Sequence, residues 1–459
     1  MCSTAPLVIS MHSVVKMNPH LVSSLRGNDM AIAALIVGVI VWLVGLWSTR
    51  VLDHSVFRLV EFWWVIGAFG TGGLATLGGF GFISAPSDLV TAFELIPLTL
   101  AGLFLIVENL RHGARIHASG LFLTAFFMIL VAFAVGSGDW LMPLSSLAVF
   151  LPCLIVPSRG YSLQAIKAGV AVATALALGV IGSLALIFPR GMVGQCRGDK
   201  CSLWGESLGM IGTGNALGLF LAVAGAICAL LATRMISFFL ISFASLMLVD
   251  LTSSRSAIVA LGLGLVVALA FKISMSTDAS WPLVSSVILL AAAALIIPLW
   301  PWTQNAFTGR SELWERALVL LSESPLFGYG SSYWVSQTTT SALTANYATH
   351  NLFAEVLVSS GIVGAMVLAL AVISVLVRAE RGAVRYWSVA VVSIWIASSL
   401  TEVVSAPGRV YLLPGLAAFV FLVANSTSTA GAGAENPNRS KNFVSTESSH
   451  RADRAYPLV

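Results

Sequence analysis

Charge is what this chain has least of. Only 10% of its 459 residues are Asp, Glu, Lys or Arg, and 58% are apolar, with a mean hydropathy of +0.92, whereas a soluble domain carries about 25% charged residues. That deficit excludes an ordinary water-soluble fold, and no nucleic-acid partner is expected. Cysteine is scarce as well, with five in the chain, so no disulfide framework holds the fold. No period of 20–50 residues marks tandem repeats. No acidic pair stands out as the acid and base of a glycosidase, and no Asp-x-Asp or dense carboxylate cluster points to a metal-dependent sugar transferase. No metal site and no cofactor are expected.

What the chain has instead is long apolar runs. A hydrocarbon core about 30 Å thick needs roughly 20 apolar residues per helix, because backbone groups in lipid must be bonded within the segment. Spans are read near 30–48, 59–82, 91–108, 119–136, 140–157, 164–188, 213–232, 235–251, 256–273, 282–299, 350–377, 386–404 and 409–424. The expected class is an all-α polytopic integral membrane protein of about 12–13 transmembrane helices. Residues 1–29 form an N-terminal extension without the apolar core of a secretory signal, 30–424 one membrane domain, and 425–459 a disordered, Ser/Thr/Asn/Gly-rich cytoplasmic tail.

Loop charge orients this bundle. Arg50 and Arg58, Arg111 and Arg115, Arg159 and Lys167, Arg234, Lys272, and Arg378, Arg381 and Arg385 fall on alternate loops, which the positive-inside rule assigns to the cytoplasm. Loops 189–212 and 300–349 then lie outside, the second being one large extracytoplasmic loop with short helices. Thirteen spans would also put the N-terminus outside, at odds with Lys16 and Arg26 beside the first span. One division in the N-terminal half, at Asp139 or at Pro86-Ser87-Asp88, is therefore expected to be spurious.

Polar residues in an apolar chain mark function. Glu61, Glu94, Asp250 and Glu402 read as interhelical hydrogen-bonding groups, while Glu355 lies four residues after Asn351, on the same helix face below the polar loop. Arg255, in Ser254-Arg255-Ser256, breaks the positive-inside trend and calls for an anionic partner; a guanidinium fork matches phosphate oxygens, and pairing with Asp250 is the plainer alternative. Residues 310–321 carry apolar positions 313, 314, 317, 318, 320 and 321, the pattern of an amphipathic interfacial helix, with Arg310 at its disfavoured N-terminus and Trp314 within. Pro325-Leu-Phe-Gly328-Tyr-Gly330 is a turn whose glycine amides are expected to approach an anion. His350-Asn351 opens the next span, a titratable ring where membrane meets water. Cys196 and Cys201 in the outer loop are candidates for a small disulfide, with two unpaired thiols as the alternative.

The order Ser254-Arg255-Ser256, Gly309-Arg310 with Trp314, Pro325-x-x-Gly328-x-Gly330, and His350-Asn351 followed by Gly361-Ile-Val-Gly364 resembles the O-antigen ligase and polymerase superfamily of bacterial envelope glycosyltransferases. Thr213-Gly-Asn215-Ala-Leu-Gly218 is similar to that family's Asn-bearing segment. The resemblance covers about residues 205–375 by motif. It implies a metal-independent transferase of the bacterial cytoplasmic membrane, active on the outer face, whose donor is an undecaprenyl-pyrophosphate-linked glycan and whose acceptor is a glycan or lipid-linked sugar. Other envelope polysaccharide assembly proteins are implied as partners, beside the lipid bilayer. Arg255 and Arg310 correspond to arginines that hold pyrophosphate and His350 to the catalytic histidine; Asn215, Trp314, Gly328, Gly330, Asn351 and Glu355 are the substrate-binding candidates. Two forms of the activity stay open. One polymerises repeat units of an exopolysaccharide, capsule or O-antigen; the other is a ligase moving finished glycan to a lipid, polymer or protein. From the residues alone, a transporter or lipid flippase is the third alternative.

Overall fold

The protein is described from a computed structural model, which covers residues 19–77, 87–138, 140–196, 201–208, 214–303, 306–333, 349–379, 382–400, 402–403 and 414–428. It is an all-α polytopic membrane protein. In chain order the helices are α1 (Pro19–Trp47), α2 (Val60–Leu77), α3 (Ser87–Arg111), α4 (Ala118–Ser137), α5 (Leu141–Leu154), α6 (Leu163–Ile187), a single turn α7 (Pro189–Met192), α8 (Gly214–Leu231), α9 (Met235–Leu251), α10 (Arg255–Thr277), α11 (Trp281–Leu299), α12 (Arg310–Glu323), α13 (Leu352–Arg378), α14 (Ala383–Ser398) and α15 (Pro414–Ala424). Except for α7 and α12, each coincides with a predicted span. Six of the described helices are long and apolar enough to cross a bilayer on their own, and shorter apolar helices accompany them. Large apolar side chains such as Phe104 (67% exposed), Val135 (67%) and Leu289 (69%) face outward, which suits a lipid surface and not water.

Short strand pairs sort the connections into two ends. Strand β1 (Ala114–Ile116), before α4, pairs antiparallel with β2 (Ile155–Pro157), after α5. The chain therefore goes out and back between them. Of the two questioned divisions, the break at 138–140 is a true hairpin, capped by Gly138 in the left-handed region at φ 77. Asp139 itself, and residues 78–86 at the other questioned division, lie outside the described residues. Strand β3 (Tyr161–Ser162) pairs parallel with β6 (Ser426–Thr427), which brings the end of α15 to the same face. Ser162 donates its amide to Glu61 at 3.0 Å and Gln164 its side-chain amide to Val51 O at 2.7 Å; Lys272 reaches Ala232 O; Tyr386 donates to Asp278 at 2.9 Å. One end thus gathers the arginine-rich connections.

The opposite end gathers the long loops. Strand β4 (Val193–Gln195) pairs with β5 (Glu206–Leu208), with Cys196 and Cys201 disulfide-bonded between them. Leu203 donates its amide to Asp250 at 3.0 Å, and Ser207 its hydroxyl to Thr252 O at 3.4 Å, so this hairpin rests on the α9–α10 turn. Helix α1 starts at Pro19, ahead of the apolar stretch from Met30 that was read as the first span. The stretches 1–18 and 429–459, including most of the expected tail, lie outside the described residues, as do 304–305 and 334–348 of the large loop.

Candidate active site

Four helices converge on the turn Thr349-His350-Asn351, at the end with the long loops. Asn351 is the N-cap of α13: its side-chain oxygen accepts from Ala354 N at 3.0 Å, and its amide donates to Ala294 O of α11 and Leu400 O beyond α14 at 3.3 and 3.0 Å. Leu352 donates to Ser399 O at 3.0 Å. Trp314 of α12 donates its indole N–H to Thr349 O at 2.7 Å. From within α13, one Glu355 carboxylate oxygen accepts both the Thr349 amide (3.1 Å) and its hydroxyl (3.2 Å). Buried polar groups are held where their partners are complete, so the turn is fixed from every side.

That fixed turn forces His350 into the left-handed region, φ 54, an uncommon conformation that costs a non-Gly residue about 1–3 kcal/mol. Its imidazole Nδ1 is joined to Glu402 Oε2, and the other carboxylate oxygen of Glu402 pairs with Arg310 Nη2. Glu402 is buried at 3% exposure; the side chains of Arg310 and His350 keep 15% and 13%. An ionised carboxylate only accepts, so beside it Nδ1 is the donor, and in the neutral ring Nε2 carries the lone pair. One acid thereby fixes a ring tautomer and a guanidinium together. A guanidinium has five N–H donors, and this contact uses one nitrogen of Arg310.

Several residues read as substrate contacts have partners within the protein. Asn351 and Glu355, fully buried at 0% and 2%, hold the backbone of the turn. Trp314, at 1% exposure, is a wedge behind Thr349; the more exposed Trp302 and Phe307 lead toward it, Trp302 edge-on to Phe307 and Phe307 tilted against Trp314, with centroid separations of 4.9 and 5.2 Å. The amides of Gly328 and Gly330 are not available to an anion, because they donate to Ser324 O (3.2 Å) and Ser359 O (3.0 Å). Residues 325–330 are instead stitched into a break in α13. Gly361 there has φ 65, ψ −169, Tyr329 donates to Val358 O (2.8 Å), and Ile362 and Val363 donate to Pro325 O (2.9 Å) and Leu326 O (3.0 Å). A Cβ on Gly361 would lie 2.3 Å from Leu326 C, and one on Gly328 2.4 Å from Val358 O.

Arg255 is exposed at the first turn of α10, at the same end of the bundle, behind the N-cap Ser254 that accepts from Ala257 N. Asp250 accepts the Leu203 amide. Gly218 of α8 lies under this hairpin, where a Cβ would come within 2.5 Å of Thr252 Oγ1 and 2.9 Å of Ser254 Cβ. Half-buried Asn215 stands one turn earlier on the same face, which directs it toward the Arg255 loop.

Glu402 is the residue that sequence reasoning undervalued. Its signal was an acid near the end of an apolar run, where an unpaired charge is costly, but its partners lie 52 and 92 residues away. Fold and site together define a polytopic helical membrane protein with an Arg–Glu–His group at one end of the bundle. Residues 239–369 match the family model described as O-antigen ligase, a match over part of the chain that supports its likeness to the O-antigen ligase and polymerase superfamily. Matched residues run from α9 into α13 and include Arg255, Arg310 and His350, but stop short of Glu402. No curated protein matches the chain. Envelope glycan processing of the O-antigen ligase or polymerase type is the activity class this match carries.

Proposed function

We propose that the protein is a metal-independent glycosyltransferase of the bacterial cytoplasmic membrane. It takes a glycan from an undecaprenyl-pyrophosphate carrier and acts on the face away from the cytosol. The observation that carries the reading is the His350–Glu402–Arg310 group, set at the end opposite the arginine-rich connections, which the positive-inside rule assigns to the cytoplasm.

In the proposed reaction an acceptor hydroxyl attacks the anomeric carbon of the donor. Its proton passes to His350 Nε2, the bond between that carbon and the phosphate oxygen breaks, and lipid pyrophosphate leaves with the bonding pair. Glu402 stabilises the imidazolium that forms and keeps Nδ1–H directed away from the acceptor. Charge growing on the leaving group is met by Arg255 and by the remaining N–H donors of Arg310, fixed cations that do electrostatically what a metal would do elsewhere. Support comes from an imidazole, a carboxylate and a guanidinium gathered in one group, and from Asn215 on the helix face toward the Arg255 loop.

Among the two forms of this activity we favour polymerisation of repeat units, with ligation of finished glycan as the alternative. In a deletion strain, accumulation of single repeat units on the carrier is expected; long chains left on the carrier would assign the ligase form. Purified protein given the lipid-linked donor in excess chelator should still release undecaprenyl pyrophosphate. A strict requirement for added divalent metal would refute the proposed chemistry.

A further inference from the structure

The end remote from this site carries a second feature. A crevice of about 660 Å³ opens where the α1–α2 connection crosses α6. Its walls are apolar, from Leu43, Leu46 and Trp47 of α1, Leu52 of the connection, and Val172 of α6, and its rim holds two guanidiniums, Arg50 and Arg234. Trp47 is 84% exposed, an aromatic at the depth where indoles mark a membrane–water boundary. Among the described residues, neither guanidinium has a carboxylate or hydrogen-bonding partner.

The turn that presents Arg50 is built, not loose. Thr49 Oγ1 donates to Leu46 O at 2.7 Å, and Ser48 Oγ contacts both Gly45 O and Ser237 Oγ at 2.6 Å, which ties the end of α1 to the start of α9 just after Arg234. Arg50 is held there at φ 52, in the left-handed region that a non-Gly residue occupies only when its surroundings compel it. Two unpaired cations beside an apolar slot suit an anion that carries a hydrocarbon chain. Free phosphate would gain nothing from the walls. A zwitterionic headgroup would bring its own ammonium against both guanidiniums.

We infer that this crevice binds an anionic glycerophospholipid from the adjoining leaflet, its phosphodiester held between Arg50 and Arg234 and an acyl chain laid along Leu43, Leu46 and Val172. Basic pockets between helices at the arginine-rich side of a membrane protein recognise anionic headgroups in this way. Binding here is independent of the chemistry at the opposite end.

The test is native mass spectrometry of the full-length protein in detergent with equimolar phosphatidylglycerol and phosphatidylcholine. The wild type should retain phosphatidylglycerol selectively. Arg50→Gly suits φ 52 and keeps the fold; combined with Arg234→Gln it should weaken retention, at about fivefold for each arginine, by about 25-fold. Val172→Trp, which fills the apolar wall and leaves both cations, should also lower retention. Equal retention of the two lipids by the wild type would overturn the inference, as would unchanged phosphatidylglycerol binding in the double variant. Full retention by Val172→Trp would reduce the effect to surface charge and overturn it too.

Discussion

Replacing Glu402 by Gln keeps a hydrogen-bonding group beside both His350 and Arg310 while removing the charge that stabilises an imidazolium. General-base assistance is worth roughly 10²- to 10⁴-fold, so Glu402→Gln and His350→Asn should each lower the transfer rate within that range. Asn tolerates the left-handed backbone of position 350 better than most residues, so His350→Asn should leave expression and thermal stability unchanged. Because the two residues act as a unit, the double variant should be little worse than His350→Asn alone; multiplicative losses in single-turnover assays would show that they act separately. Arg310→Ala should lose about 3 kcal/mol of transition-state stabilisation and free Glu402 from its second partner, whereas Arg255→Lys should weaken donor use without changing the pH profile. His350, Arg310 and Arg255 were legible in the sequence because each breaks a local rule: a ring at a span boundary, a cation at a helix N-terminus, a cation on the wrong loop. Glu402 was not, since its meaning depends on contacts that only the tertiary fold makes.

At the scale of elements, α13 is the informative case. The sequence reading placed a span at 350–377, close to Leu352–Arg378, and hydropathy carries no trace of the break inside it. Gly361 and Gly328 were visible as glycines, but which strand of chain would fill the gap was not. The reading of Gly328-x-Gly330 as an anion cradle failed for that reason: amides that look available in a loop are consumed once the loop is threaded into a broken helix. Gly361→Ala is predicted to cost at least about 1–3 kcal/mol from its backbone conformation, with the clash against Leu326 in addition. The measurement is thermal unfolding in detergent, and a variant as stable as wild type would contradict the geometry. Amphipathic α12, by contrast, was readable from its spacing alone, and Leu313, Trp314, Ala317 and Leu320 are its buried face.

For the molecule as a whole, periodicity was sufficient to lay out the helices, because lipid forces nearly every polar backbone group into a helix. Of the two divisions it left doubtful, the one at 138–140 is a hairpin, as the pairing of β1 with β2 shows. The crowding of cations at one end has a measurable effect. His117, at the N-cap of α4, has its pKa lowered by burial, then by Arg378 and Arg115. A lowered folded-state value means that the unfolded chain binds more protons, so the stability contribution is complete above about pH 6.5 and is lost as pH falls below it. His117→Gln should flatten the decline in thermal stability between about pH 6.5 and 5; a decline as steep as wild type would assign it to other groups. Single cysteines at Ser276 and at Ser322, in a background lacking native thiols, should react with a membrane-impermeant reagent from opposite faces.

Because the segment 325–330 is fastened to α13 through main-chain atoms, its outward side chains Leu326 and Phe327, 57% and 48% exposed, contribute little to holding it in place. Their identities can drift across generations at almost no structural penalty, while the histidine turn beyond keeps its shape. A surface of that sort accepts substitution without disturbing the turn underneath.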